Sequence, residues 1–364
     1  MKRTTRILFL TLGLILLGLL VWYFSAIVFY VITAGILSLI GKPAVYYLDR
    51  IKVFKFGLPH GLNAAVVLLL MVVVFGGLLL LFVPMVVQQG RVISAIDLNT
   101  LVEGLKQPLG QLSETVHGFG ILKQGESIES LVMEKASGLI NVATFSNMFG
   151  SIVGVAGSFV TFVFSVLFLA YFFLRDDKLF LNSLLLFVPS EFEQRTTEVL
   201  HQVKALLTRY FIGLCLQILT MTTLITIGLW IFGAKNALLI GFFAGLMVVI
   251  PYLGPIIGSV MGVLLTVLDC LAQGWYDAVL PMGIRVAGVF LVANLIDNIL
   301  VQPLIYSNSV KAHPIEIFLV IIMAGSLAGI TGMILAIPVY TILRIAAKEF
   351  LGKFDVVKKL TRNI

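Results

Sequence analysis

Four polar side chains stand on one side of an otherwise apolar stretch in the C-terminal part of the chain. They are Asn294, Asp297, Asn298 and Gln302, in and just beyond a predicted membrane span at about residues 279–301. At 100° per residue, a helix places all four within about 140° of one face. An ionisable side chain at the centre of a membrane helix costs at least ~2.5–3.5 kcal/mol, so it normally faces a cavity or a partner. Because Asp297 can gain and lose a proton, the pattern indicates a candidate site for a polar solute or a cation.

The same stripe has a simpler interpretation, in which its side chains meet lipid headgroups at the cytoplasmic end of the helix. Both interpretations stay open on the sequence alone. Arg285, in the same span, points to the side of the helix opposite Asn294 and is not expected to pair with Asp297. We expect its guanidinium group to extend toward the membrane interface, as long basic side chains do.

Two further apolar stretches are interrupted in the middle by proline or glycine. Residues 236–268 and 317–343 carry no charge, and each is too long for one crossing of a hydrocarbon core ~30 Å thick. Proline removes a backbone donor and glycine permits non-helical backbone, which is tolerated at membrane depth only where protein or a water-filled cavity satisfies it. The predicted positions of broken helix are Pro251, Tyr252, Gly254, Pro255, Gly325, Gly329 and Gly332.

Each interrupted stretch is either a re-entrant hairpin or a broken helix that crosses once. Two hairpins would place Lys311 in the cytoplasm and the acidic 269–277 loop outside, an arrangement that the distribution of basic residues favours. Unwound backbone in transporters offers N–H and C=O groups to ions and polar substrates. We therefore hypothesise that both breaks meet near the membrane midplane and form one site with the Asn294–Gln302 stripe. Glycine pairs at GxxxG spacing, such as Gly241 with Gly245, predict close helix packing instead.

Composition defines the kind of elements that must position these residues. The chain has 364 residues, of which 60% are hydrophobic and 12% charged, whereas a soluble domain has ~25% charged residues. Its mean hydropathy is +1.09. These values predict an all-α polytopic integral membrane protein. The formal net charge of +7 comes from basic clusters beside apolar runs, a pattern typical of cytoplasmic loops and not of nucleic-acid binding.

About eight hydrophobic helical segments are predicted, two of them interrupted. Residues 1–87 hold the N-terminal transmembrane segments, and the uncharged run Ile7–Gly41 is expected to turn back near Trp22–Ser25 to make two crossings. Residues 88–150 carry glutamates among Gly, Ser and Gln, which predicts a helical extracytoplasmic region. Residues 151–364 form a C-terminal transmembrane transport region, with a cytoplasmic amphipathic helix at about 190–208.

The sequence has no motif for catalysis, a cofactor or a metal. The histidines have no metal-ligand spacing, and no phosphate-binding loop is present. Asp297 is the one candidate acid for an intramembrane protease, and a comparable segment offers no second aspartate. We therefore expect no enzymatic activity, no cofactor and no metal.

Several motifs in the C-terminal half resemble those of the autoinducer-2 exporter family of bacterial permease-like membrane proteins. The first is Ile250-Pro-Tyr-Leu-Gly-Pro-Ile-Ile-Gly258, and the second is Asp297-Asn-Ile-Leu-Val-Gln-Pro-Leu-Ile305, followed by Ser309-Val-Lys-Ala-His-Pro314. The third is the glycine-rich stretch Gly325–Gly332, which leads to Ala336-Ile-Pro338. The resemblance covers nearly the whole length of the chain. It implies about eight hydrophobic segments, a large extracytoplasmic region after the third, and a homo-oligomer.

For function, the resemblance implies a secondary transporter of the bacterial inner membrane, with both termini in the cytoplasm. Members of the family have been described as exporters of autoinducer-2 and others as sodium (or lithium)/proton antiporters. The expected partners are therefore a small polar solute or a monovalent cation, together with the lipid bilayer. A passive pore is an alternative, because an oligomer can build a ring from one residue per chain. A membrane scaffold that binds partners through residues 88–150 is another.

Overall fold

The described elements of the protein are helices. The computed structural model describes residues 18–20, 22–50, 59–94, 156–176, 178–186, 188–306 and 313–351, and none of these lies in a strand. Six stretches in these ranges are helical, long and apolar enough to cross a membrane. The predicted all-α polytopic membrane fold is thereby confirmed. The predicted extracytoplasmic region lies outside the described residues from residue 95 onward.

The chain divides into two compact units, Met1–Phe75 with Val155–Leu200 and Gly76–Gly154 with His201–Ile364. The helices of the first unit are α1 (Ser25–Arg50), the beginning of α2 (His60–Ser94), α3 (Ala156–Arg175) and α4 (Leu179–Leu185). Small residues let these helices approach closely, since Ala34, Ala64 and Ala170 are fully buried. At one end of the unit, the Asp49 carboxylate of α1 accepts a hydrogen bond of 2.6 Å from the Asn63 amide of α2.

The backbone around Trp22–Ser25 is helical and does not reverse. The Phe24 N–H donates to the Leu20 carbonyl over 2.9 Å, and the Val28 N–H donates to the Phe24 carbonyl over 3.0 Å. These four-residue steps are those of an α-helix, so the predicted turn near Trp22–Ser25 is wrong. Interfacial aromatic residues, which suggested the turn, are equally compatible with a helix that runs through. Residues 1–17, which would have formed most of the first of the two crossings, lie outside the described residues.

α5 (Glu193–Ile231) joins a charged amphipathic stretch to an apolar span without interruption. A short 3₁₀ turn at Ser190–Phe192 precedes it. Its 39 residues correspond to a length of about 58 Å, nearly twice the thickness of a hydrocarbon core. The charged first part of α5 therefore extends beyond the membrane, and the apolar second part crosses it.

The first interrupted stretch is a helical hairpin formed by α6 (Ala237–Met247) and α7 (Leu253–Ala272). Ideal Cβ atoms on Gly254, Gly258 and Gly262 would meet Met247, Ala244 and Ile240 in turn. Residue numbers rise along α7 while those of the contacted residues fall along α6, so the two arms pack antiparallel. Gly254 lies so close to the Met247 carbonyl that no Cβ fits there. The turn between the arms contains Tyr252, whose φ of 64° is strained for a residue with a side chain.

The second interrupted stretch, α10 (Pro314–Leu351), is also a hairpin. Its backbone leaves the helical conformation at Ala328 and Gly329, and the φ of 58° at Gly329 suits glycine best. The Tyr340 hydroxyl donates to the Glu316 carboxylate over 2.8 Å, although a continuous helix would separate residues 24 positions apart by about 36 Å. Gly332 likewise meets the Ala324 carbonyl. Both interrupted stretches therefore reverse direction as helical hairpins, which favours the re-entrant alternative over a broken helix that crosses once.

Candidate functional site

A buried carboxylate forms the centre of the candidate site. The side chain of Asp297 is 1% exposed and accepts hydrogen bonds from the Gln217 Nε2 of α5, at 2.8 Å to Oδ1 and 3.0 Å to Oδ2. The Gln302 Nε2 donates to the same Oδ2 over 2.8 Å. In the described part of the chain, the partners of Asp297 are thus two neutral amides. Hydrogen bonds to a charged acceptor are among the stronger ones in proteins, and they offset part of the cost of burying the carboxylate.

The backbone at Asp297 is a π-helical turn. α8 (Tyr276–Ile296) passes into this turn at Asp297–Val301 and continues as α9 (Gln302–Tyr306). The Gln302 N–H donates to the Asp297 carbonyl, five residues back. Pro303 favours this wider helical turn, because it has no N–H to donate to the Ile299 carbonyl four residues back. π-helical turns are rare and frequently mark functional sites.

Asn294 connects this helix to the first hairpin. Its Nδ2 donates to the Ser259 Oγ of α7 over 3.2 Å, and the Ser259 hydroxyl donates to the Pro255 carbonyl over 2.6 Å. Pro255 lies in the first turn of α7, just after the break at Pro251 and Tyr252. The structure therefore connects Asn294, one residue of the predicted polar stripe, with the first predicted break through hydrogen bonds.

The remaining stripe residues differ in exposure. Asn298 is exposed and accepts a hydrogen bond of 3.0 Å from the Gln302 Nε2. Gln302, which is half-buried, therefore connects the buried Asp297 with the exposed Asn298. A polar path thus leads from the carboxylate to the helix surface.

The second predicted break lies apart from this group. At the tip of α10, Leu327 is 85% exposed and Ile330 is 68% exposed, so described residues do not cover it. Tyr252, at the tip of the first hairpin, instead contacts Phe318 near the start of α10, with 6.0 Å between ring centroids. Gly325 and Gly332 face Met333 and Ala324 of the opposite arm, which is packing within the hairpin. Among the described residues, the tip of the first hairpin therefore contacts the base of the second hairpin.

Gln217 is the partner that analysis of the sequence missed. It lies in α5, 80 positions before Asp297, and no local spacing connects the two. A signal was nevertheless present, since Gln217 is the one amide side chain in the uncharged run 210–232. Amides within membrane helices commonly hydrogen-bond across to another helix.

Comparison with known proteins then decides the family. A sequence profile described as AI-2E family transporter matches residues 9–352, which is nearly the whole chain. The chain belongs to the AI-2E transporter family. It is thus a multi-pass membrane protein of a transporter family, and the predicted family membership is confirmed.

Relatives of this AI-2E family protein come from distant organisms. A Bacillus subtilis protein, "Putative transport protein YueF", is 24% identical over 327 residues, which cover 88% of this chain and 84% of that protein. Another from the same species, "Putative transport protein YrrI", is 33% identical over 184 residues, half of each chain. A Thermotoga maritima "Putative transport protein" is 23% identical over 88% of this chain and 91% of its own. These names describe transport and specify no solute.

Proposed function

We propose that this AI-2E family protein is a secondary transporter that moves a small polar solute by alternating access, coupled to an ion gradient. It works as a homo-oligomer in the bacterial inner membrane, with both termini in the cytoplasm. The family match and the names of the relatives support transport as the general activity. The geometry around Asp297 supports the coupling.

The observation that carries the proposal is a buried carboxylate in an apolar helix, whose partners among the described residues are uncharged. Because Gln217 and Gln302 carry no charge, a proton or a monovalent cation that binds Asp297 would offset its buried negative charge. Each glutamine side chain has both donor and acceptor atoms. A rotated amide can therefore accept a hydrogen bond from the protonated carboxyl group, so that the same partners serve both states. A group that exists in two states of charge is the minimum that ion coupling requires.

Solute binding is assigned to the polar groups around this carboxylate. Asn294, Asn298 and Gln302 offer amide donors and acceptors, and two hydrogen bonds through Ser259 connect Asn294 to the first break. Such groups suit a small solute with several hydroxyl groups. The solute class that the family name suggests, the furanosyl signal autoinducer-2, has this chemistry. A monovalent cation, bound by the carboxylate and amide oxygens, is the competing substrate.

The proposal is tested by proton movement in proteoliposomes with an imposed pH gradient and a pH-sensitive dye inside. Sodium, lithium and an autoinducer-2 preparation are added in turn, and liposomes without protein give the leak. We expect the organic solute to move protons. Collapse of the gradient by sodium or lithium alone would replace the exporter with a cation/proton antiporter.

Two other outcomes of the same assay contradict the proposal. Proton movement that follows the imposed gradient without any added solute, above the leak of protein-free liposomes, would indicate a passive pore. A complete lack of response to every solute would remove the support for coupled transport and favour a scaffold role.

A further inference from the structure

A groove on the side of α8 away from the Asn294–Ser259 contact contains a single charged side chain. It has a volume of about 430 Å³ and is lined by nine residues, eight from α5 and α8 and Phe232 after α5. Arg285 is the one charged residue among these nine. Its volume is in the range of small-molecule pockets, ~300–1,000 Å³. Gly288 leaves the groove open, because it is exposed and open space surrounds the position of a Cβ there.

The register of α5 against α8 places Arg285 at one end of the groove. Gln217 faces Asp297, and a Cβ on Gly228 would meet Val289, 2.6 Å from its Cγ1. The two helices are thus antiparallel, and Phe232 and Arg285 both lie about one turn beyond the Gly228–Val289 contact. The groove runs between this end and the vicinity of Asp297, where Ile296 lines it.

Arg285 has an unusual environment for a cation in a membrane span. The side chain is exposed and makes no hydrogen bond or ion pair with the described residues. An arginine without a partner in hydrocarbon costs at least ~2.5–3.5 kcal/mol at mid-depth, so we expect an anion from outside the described residues to pair with it. Cβ atoms tilt toward the helix N-terminus, which directs the guanidinium toward the end of α8 that begins at Trp275.

The charges in the membrane spans distinguish between the possible anions. Between residues 210 and 343 the acidic side chains are Asp269, Asp277, Asp297 and Glu316. Each of them already has a partner in its own chain. A second copy of the chain would therefore bring no unpaired carboxylate from these spans to Arg285. The bilayer itself supplies phosphate groups, which guanidinium binds through two parallel hydrogen bonds.

We propose that this groove binds one anionic phospholipid, with the phosphate on Arg285 and an acyl chain along the apolar part between α5 and α8. The other lining residues carry no charge and suit hydrocarbon. The lipid covers the outer side of the two helices that hold Gln217 and Asp297. The groove is thus a lipid site on the helix pair that carries the candidate ion-coupling group.

The test is native mass spectrometry of the purified protein in detergent, titrated with phosphatidylglycerol. For Arg285→Gln we expect roughly tenfold weaker lipid retention, the factor that corresponds to the loss of a charge-assisted hydrogen bond. Gly288→Leu puts a side chain into the open groove and is expected to weaken retention similarly. Inorganic phosphate should not compete, because it lacks the acyl chain.

Two control variants match these substitutions elsewhere. Arg209→Gln removes the same charge from an exposed position on α5 outside the groove, and Gly77→Leu adds the same side chain at an exposed glycine of α2 with open space around it. Both controls should retain lipid as the wild type does, and thermal unfolding checks that all variants are folded. Unchanged lipid retention in Arg285→Gln and Gly288→Leu would overturn the proposal. A change of oligomeric mass with unchanged lipid adducts would also overturn it and make the groove a subunit contact.

Discussion

At the scale of single residues, the arrangement of amides around Asp297 explains how a carboxylate is kept in a membrane interior. Gln217 donates to both of its oxygens and Gln302 to one, so the negative charge is solvated by dipoles from two helices. Removal of one partner from a buried polar pair leaves the other with its full desolvation cost. Gln217, itself 1% exposed, is therefore the residue on which the stability of the group depends most.

For Gln217→Leu we predict a loss of about 1–3 kcal/mol in the free energy of unfolding, because a buried acceptor is left without its main donor. The measurement is the thermal unfolding midpoint of the purified protein in detergent. The control is Thr220→Val on the same helix, because the Thr220 hydroxyl donates only to the Leu216 carbonyl of α5. A Gln217→Leu protein as stable as Thr220→Val would contradict the role given to Gln217.

Part of the candidate site could be predicted from the sequence at this scale. The stripe of Asn294, Asp297, Asn298 and Gln302 could be predicted because its members share one helix and its period is known. Its division into a buried Asp297 and an exposed Asn298 could not, since the burial of Asp297 depends on its contact with Gln217 of α5. Gln217 and Ser259 could not be assigned to the group either, because helix-to-helix register is set by packing over long sequence separations.

At the scale of elements, glycines determine how the first hairpin fits against α5. An ideal Cβ on Gly241 would meet the Thr226 hydroxyl and lie 2.9 Å from the Thr222 carbonyl oxygen. Gly245 faces the Thr222 hydroxyl one turn away, so that two small residues four apart match two threonines four apart. The interpretation of this GxxxG pair as packing is confirmed by these contacts. Close approach of backbones through small residues is what holds membrane helices together.

For Gly241→Ala we predict a loss of about 1–3 kcal/mol in stability, the usual cost of overpacking. The backbone atoms of α5 that the new methyl group meets cannot move aside as a flexible side chain does. The same substitution at Gly77, where the space is open, should instead raise stability by about 0.5–1 kcal/mol, because alanine favours helix. Thermal unfolding of both variants is the measurement, and equal midpoints would contradict the packing described here.

At the element scale, both breaks could be predicted from the sequence, but two topologies remained compatible with it. Proline and glycine mark where a helix ends, yet they do not say whether the chain continues or returns. The outcome depends on side-chain fit between the arms, such as Gly258 on Ala244 and Tyr340 on Glu316. The turn expected near Trp22–Ser25 does not form. No proline or glycine occurs at these positions, so the backbone continues as a helix.

At the scale of the whole molecule, we propose a topology in which both hairpins are re-entrant. In it α5 crosses once, the first hairpin returns to the side where α5 ends, and α8 with α9 crosses back. This topology predicts that the charged part of α5 and the end of α10 share one side. Both carry basic residues, which is the pattern of a cytoplasmic face.

A cysteine accessibility experiment checks this arrangement, with both native cysteines replaced by alanine. Ala272→Cys, at the exposed end of α7, should react with a membrane-impermeant maleimide in intact cells. Glu198→Cys, in the charged part of α5, should react only after the membrane is permeabilised. Labelling of both positions from the same side would contradict the hairpin topology.

The central claim, that Asp297 couples transport to an ion gradient, is tested most directly by proton movement in proteoliposomes for three proteins side by side. These are the wild type, Asp297→Asn and Asp269→Asn, which alters another buried aspartate, held by Asn236 at the base of the first hairpin. With the solute that moves protons in the wild type, we predict that Asp269→Asn retains the response and that Asp297→Asn loses it. Wild-type proton movement in the Asp297→Asn protein would contradict the claim.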